Sequence, residues 1–224
     1  MSAAGHGGTP AILVMAKPPR PGTVKTRLHP LLGPQRCAEL QAELIRHTME
    51  LTVAHTPRTY LAYAPGDGED AISTAVPAGV RWLLQRGEDL GQRLAAAVTD
   101  AFTDGAGSLL VIGTDAPTLT DDHLSAAFTT LDTHDVALGP ALDGGYYLIG
   151  LRVPHTSIFA LDPDVWSTDR VLAATRALAH GEGLSVRLLP PLRDLDTPED
   201  ATALLTDPAL PPPIAALLKP AERP

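Results

Sequence analysis

Lys17, Arg20, Lys25 and Arg27 place four cations within eleven residues, in a chain whose formal net charge is −9. Lys25 and Arg27 are of the type that neutralises a polyphosphate. Gly22 lets a backbone approach a ligand closely, and Pro18, Pro19 and Pro21 stiffen the run. It is neither a Walker A loop nor a dinucleotide fingerprint, since GxxxxGK[ST] and GxGxxG are both absent. The alternative is a solvated basic loop.

Three acidic segments are the other chemical candidates. In Gly113-Thr114-Asp115-Ala116-Pro117 the acid comes directly after Leu109-Leu-Val-Ile112, which reads as the clearest buried strand of the chain. An acid there is badly placed for a core and well placed for a cation, although an Asp before a Pro-containing turn is also common. Magnesium takes one or two carboxylates together with phosphate oxygens and waters. A second carboxylate, Asp196 of Asp194-Leu-Asp196-Thr197-Pro198-Glu199-Asp200, closes such a site if the fold brings it to Asp115; Glu199 and Asp200 read better as acids serving a helix dipole. Asp143-Gly144-Gly145 lies between two apolar runs and on spacing alone reads as a hairpin turn. Gln85 to Arg93, with Gly87 and Gly91 around a helix start, is a segment suited to wrapping a base or ribose. Trp166-Ser167-Thr168 reads as a helix cap beside a buried aromatic.

The elements that must position these residues alternate. Strands are predicted at 11–16, 59–64, 80–84, 109–112, 136–138, 146–151 and 184–189, with helices at 33–54, 89–102, from 120, 168–180 and from 197, and a weak one at 68–75. The run 17–30 is a long loop. Strand–helix alternation implies βαβ units and a three-layer αβα, Rossmann-like domain around a mainly parallel sheet. Ligands of such sheets sit beyond the carboxyl ends of the strands, where Lys17–Arg27, Asp115 and Gln85 fall. The organisation predicted is a disordered segment over 1–10, one domain over 11–206 and a Pro-rich tail over 207–224, whose piece Ile214 to Leu218 is expected to dock on the domain or mediate a homodimer.

Composition closes off other classes. The chain has 224 residues, 44% hydrophobic but only 4% aromatic, so its core is aliphatic. The acidic balance argues against a nucleic-acid partner. One cysteine, Cys37, permits neither a disulfide within the chain nor a cysteine-based zinc site, and the histidines lack paired spacing. The apolar run at 11–16 is too short for a membrane span or a signal segment, so the expectation is a cytoplasmic protein with no membrane contact. With no GxSxG elbow, serine-hydrolase chemistry is disfavoured.

The segments 16–28, 89–94, 112–117, 139–151, 166–168 and 194–200, in that order, resemble a bacterial family of GT-A-like transferases, often named glycosyltransferases and sometimes associated with arsenosugar biosynthesis. The family belongs to the nucleotide-diphospho-sugar transferase superfamily and is similar also to phospholactate guanylyltransferases and molybdenum-cofactor nucleotidyltransferases. The resemblance covers about residues 11–205. It implies a Mg2+ or Mn2+ ion on Asp115 and Asp196, with Asp194 as the alternative second carboxylate. It implies Lys17, Gly22, Lys25, Thr26, Arg27, Gln85 and Gly91 around the nucleotide, and Asp143, Gly144, Gly145 and Thr168 around the acceptor or sugar. Asp115, Lys25 and Asp143 are then the catalytic candidates. The expected reaction is sugar transfer from a nucleotide-diphospho-sugar to a small acceptor. The alternative is nucleotidyl transfer from a triphosphate to a phosphorylated small molecule, releasing pyrophosphate. A glycosyltransferase Asp-x-Asp is here Thr114-Asp115-Ala116, and a single strand-end Asp is more typical of the nucleotidyltransferase branch. A third reading is a nucleotide-binding protein without turnover.

Overall fold

Burial on both faces is what makes β1 the spine of the molecule. The computed structural model describes residues 8–64 and 72–219. β1 (Thr9–Ala16) sends Ala11 and Leu13 to one apolar cluster and Ile12, Val14 and Ala16 to another, the period-two alternation of a strand sandwiched between helix layers. Beside it lie β2 (Thr59–Tyr63), β3 (Arg81–Leu84), β4 (Ala106–Ile112), β5 (Val136–Pro140), β6 (Tyr146–Leu151) and β7 (Val186–Leu188). The sheet order is β3-β2-β1-β4-β6-β5-β7. β6 is antiparallel to both of its neighbours, and every other pairing is parallel.

One face is covered by α1 (His29–His55) and α3 (Asp121–Leu131), through Ile45, Met49, Leu124 and Ala127. The other is covered by α2 (Leu90–Thr103) and α4 (Val171–Gly181), through Leu94, Val98, Ala101 and Ala179. The three-layer αβα architecture is therefore as read from the sequence. Its switch point, where the order leaves β1 toward β2 on one side and toward β4 on the other, puts a crevice between the carboxyl ends of β1 and β4.

Several boundaries move. Thr9 pairs with Ala106, so β1 begins inside the segment read as disordered, of which residues 1–7 lie outside the described residues. The long loop ends in a 3-10 turn at Thr26–Leu28, and α1 starts at His29 because Pro30 is tolerated in a first helical turn. Gly33, read as the helix start, is instead a kink with φ 75°. The helix read from Thr168 begins at Val171. The weak helix at 68–75 falls partly outside the described residues; within them, Ile72 and Ser73 are helical.

The tail packs back on its own chain. α5 (Pro198–Leu204) and α6 (Pro212–Leu218) enclose a third cluster with α1, in which Leu28, Cys37, Leu40, Leu44, Leu195, Ile214 and Leu218 are buried. Arg36 ties the end of α6 down through the carbonyls of Ala216, Leu217 and Lys219. Of the tail piece expected to dock or to mediate a homodimer, Ile214 and Leu218 are buried within the chain and Ala215 and Leu217 pack partly against the same cluster. Ile214→Ala is expected to cost about 3 kcal/mol by cavity formation, a fall in Tm of roughly 6–12 °C in a thermal melt. A change under 2 °C, by the same scaling, would show that the tail contributes no core.

Candidate active site

The crevice is a cleft of about 580 Å³ whose wall includes Lys17, Lys25, Thr26, Arg27, Gln85, Asp115, Asp143, Gly145, Thr168, Asp194 and Asp196. Its centre is built by three segments remote in sequence. Lys25 ends the proline-stiffened loop after β1, in left-handed backbone at φ 48°, a conformation that costs a lysine about 1 kcal/mol and that surrounding contacts must enforce. Asp115 follows β4 by three residues. Asp196 precedes Thr197, whose side chain forms a capping box with Asp200 at the start of α5. A backbone hydrogen bond from Leu195 N–H to the Asp115 carbonyl (2.7 Å) straps the second acid segment to the first.

The Lys25 ammonium closes the centre. Its Nζ donates to Asp115 Oδ1 at 2.5 Å, to the Leu195 carbonyl at 2.8 Å and to Asp196 Oδ1 at 3.1 Å, using all three N–H bonds. The side chain is only 4% exposed, whereas Asp115 is 45% exposed toward the cleft. Burial pulls the Lys25 pKa down, but the charges and hydrogen bonds of Asp115 and Asp196 outweigh it and hold the ammonium above its ordinary value. The two acids thus meet around a cation, and that cation is Lys25 itself.

Asp194 differs from both. Burial first, and then the charges of Asp115, Asp143 and Asp196, push its carboxyl up to about 8 against the opposing pull of Lys25. Its Oδ1 is buried and has no hydrogen-bond partner among the described residues. Because the folded pKa lies above the ordinary value near 4, the folded protein keeps a proton that the unfolded chain has lost. Stability therefore falls as pH rises from about 4 to 8. Asp194→Asn cannot ionise, so in metal-free protein its Tm should gain on the parent's steadily across that window. Melting curves that stay parallel from pH 5 to 8.5 would place the Asp194 pKa outside it.

Other expectations sort by location. Gln85 and Thr168 line the cleft; the Thr168 hydroxyl donates to the Val165 carbonyl at 2.7 Å. Gly22, Gly91 and Gly144 do not line it. Gly22 has φ 84° with open space around it and serves the turn. A Cβ on Gly91 would stand 2.3 Å from the Phe159 carbonyl and 3.1 Å from the Trp166 ring, so this glycine lets α2 pack against the cleft wall. The Asp143-Gly-Gly segment is indeed a hairpin turn between β5 and β6, with Asp143 Oδ1 accepting from Gly145 N–H at 2.9 Å. Gly144, at φ 92°, abuts Asp169 and its carbonyl accepts from Leu172 N–H, which docks the turn on the start of α4. Arg20, the fourth cation of the loop, does not line the cleft.

Gln41, Arg93 and Tyr146 line the cleft without having been singled out individually, as does Trp166, read only as a packing aromatic. Gln41 lies within α1, 4% exposed, with its Nε2 donating to Thr114 Oγ1 at 3.1 Å. The signal available was a polar side chain beside Leu40 on an otherwise apolar helical face.

A solved structure from Desulfovibrio desulfuricans, assigned to the nucleotide-diphospho-sugar transferases, superposes with a TM-score of 0.83, covering 93% of each chain at 30% identity. The fold and its switch-point cleft therefore define a transferase of the nucleotide-diphospho-sugar transferase class, enzymes that work on an activated nucleotide. Residues 47–168 match the family described as "Uncharacterized protein conserved in bacteria (DUF2064)", and the chain belongs to that family. It is also 31% identical over 186 residues to the phosphoenolpyruvate guanylyltransferase of Chloroflexus aggregans, covering 78% of this chain and 87% of that protein. The enzyme of the same name from Sphaerobacter thermophilus is 29% identical over 190 residues, covering 83% and 88%. Among the described residues no helix is long and apolar enough to cross a membrane.

Proposed function

We propose that this protein is a metal-dependent nucleotidyltransferase, which moves a nucleoside monophosphate, guanylyl as in the relatives, from a triphosphate to the phosphate of a small acceptor. The observation that carries the reading is the Lys25 ammonium held between Asp115 and Asp196 at the end of β1. In nucleotidyl transfer an acceptor phosphate oxygen attacks the α-phosphorus, the α–β bridging P–O bond breaks, and pyrophosphate leaves with the electron pair. No base is required, because the nucleophile is already an anion. The demand is for positive charge around the pentavalent phosphorus and the departing pyrophosphate. Lys25 supplies a buried, permanently charged ammonium; Lys17 and Arg27 on the same wall are suited to the outer phosphates.

The residues present fit a divalent ion. Asp115 and Asp196 offer hard oxygen donors, Asp194 Oδ1 lies beside them without a donor, and among the described residues no three acidic, His or Cys side chains form a complete cage. That incompleteness suits Mg2+ or Mn2+, which take one or two carboxylates and complete their shell with phosphate oxygens and water. Asp115 and Asp196 would hold such an ion, which would supply positive charge against the phosphates.

Sugar transfer is the second reading, favoured by the Desulfovibrio structure and its assignment. One experiment separates the two. Purified protein is incubated with Mg2+ and either GTP plus phosphoenolpyruvate and related phosphorylated acids, or nucleotide-diphospho-sugars plus hydroxyl acceptors. Pyrophosphate release in the first set is the expected result. Nucleoside diphosphate release in the second, with none in the first, would replace nucleotidyl by glycosyl transfer.

A further inference from the structure

We propose that the acceptor carries an apolar group, aliphatic or aryl, seated on a wall of the cleft formed by Tyr146, Trp166, Val171 and Leu90; the proposal rests on the nucleotidyltransferase reading above. The wall lies on the β6 side of the phosphate centre. In the order β3-β2-β1-β4-β6-β5-β7, Lys25 and Asp115 follow β1 and β4, and Tyr146 opens β6 on the flank away from β2 and β3. Trp166 lies on the approach to α4, Val171 is its first residue, and Leu90 is the first residue of α2. All four line the cleft. Gly91, which has no Cβ to meet the Trp166 ring, lets the first turn of α2 close on this wall.

What the wall offers a ligand is carbon. Tyrosine and tryptophan each join an apolar ring to one polar atom. Here both polar atoms face inward: the Tyr146 hydroxyl is buried beside Thr175, and Trp166 Nε1 is buried without a partner among the described residues. Both residues keep exposed surface, and none of it belongs to those atoms. The Thr168 hydroxyl is also spent, donating to the Val165 carbonyl at 2.7 Å. Arg93, on the α2 edge, spends its Nε on the Gly87 carbonyl and adds a cation suited to the anionic end of an acceptor. Leu90 is 41% exposed in a first helical turn, where an acid would serve the dipole and α2 has none. An apolar side chain that neither fills the core nor serves the helix, set in a cleft, marks a surface for an apolar ligand. A purely charged acceptor would exchange its hydration there for carbon. An apolar group gains by leaving water.

The test gives the intact protein Mg2+, GTP and two acceptors, 2-phospholactate and 2-phospho-3-phenyllactate. They share phosphate and carboxylate and differ by a phenyl ring in place of a hydrogen. The expected result is a kcat/KM for pyrophosphate release at least about tenfold higher with the phenyl compound. Leu90→Gln, at an exposed position, should shrink that ratio to about threefold or less. A parent that uses the phenyl compound no better than phospholactate overturns the apolar seat and leaves nucleotidyl transfer to be judged on phosphoenolpyruvate. An unchanged ratio in Leu90→Gln overturns the assignment of the seat to this wall. Absence of pyrophosphate with every phosphorylated acceptor, phosphoenolpyruvate included, overturns both readings. Should Leu90→Gln not fold, the acceptor pair on the parent protein decides alone.

Discussion

Asp115→Asn is expected to lower kcat by about 10³-fold while leaving the protein folded. The asparagine retains an oxygen that accepts from Lys25 and the same side-chain volume, and the strap from Leu195 N–H goes to the Asp115 main-chain carbonyl, which the substitution does not touch. What is lost is the negative charge on the more exposed of the two carboxylates holding Lys25, one that lines the cleft. Initial rates at saturating Mg2+ and nucleotide, with a thermal melt of the same preparation, check both halves. A variant that melts far below the parent would make Asp115 a structural acid. Turnover within tenfold of the parent would remove it from the chemistry.

Lys25→Met should lose turnover by a similar factor of about 10³, for the complementary reason. Methionine fills much of the buried volume but brings no charge to the phosphates. Its second effect is the more diagnostic. Asp115 and Asp196 lose the ammonium that neutralises them, so like charges face each other across the space Nζ occupied. A divalent cation then meets no competing positive charge, and added Mg2+ without nucleotide should raise the Tm of Lys25→Met more than that of the parent. Solvent at the half-exposed Asp115 screens the residual repulsion, so the metal-free variant should still fold. An equal Mg2+ response in both proteins would separate the ion from these two acids. Near-normal turnover would end the proposal for Lys25.

The two substitutions are informative together because they act on one contact from opposite sides. Effects within a single charge network are not additive, so the double variant should be scarcely slower than either single one.

The order of strands and helices was legible because hydrophobic periodicity is a local property. Ala11 to Ala16 is apolar on both faces, Leu109 to Ile112 likewise, and they lie in β1 and β4, which pair in parallel at the centre of the sheet. The capping pattern Thr197-Pro198-Glu199-Asp200 started a helix as expected. Boundaries were less legible where a proline or glycine has two local meanings. Pro30 reads as a breaker but sits in a first helical turn, and Gly33 reads as a helix start but is a kink. Gly91 and Gly144 read as ligand-facing glycines, yet packing partners remote in sequence, Phe159 and Asp169, are what exclude a side chain there.

By itself the sequence determined the strand–helix alternation, the aliphatic core and the presence of a basic loop and acids at strand ends, because each depends on residues a few positions apart. Only the tertiary structure decided that Lys25, Asp115 and Asp196 share one hydrogen-bonded centre, that Asp194 is buried beside it, and that Tyr146 and Trp166 line the cleft with their polar atoms turned inward. Those relations follow from the order β3-β2-β1-β4-β6-β5-β7. Sheet order is set by which apolar faces pack together across the whole chain, and no local pattern encodes it.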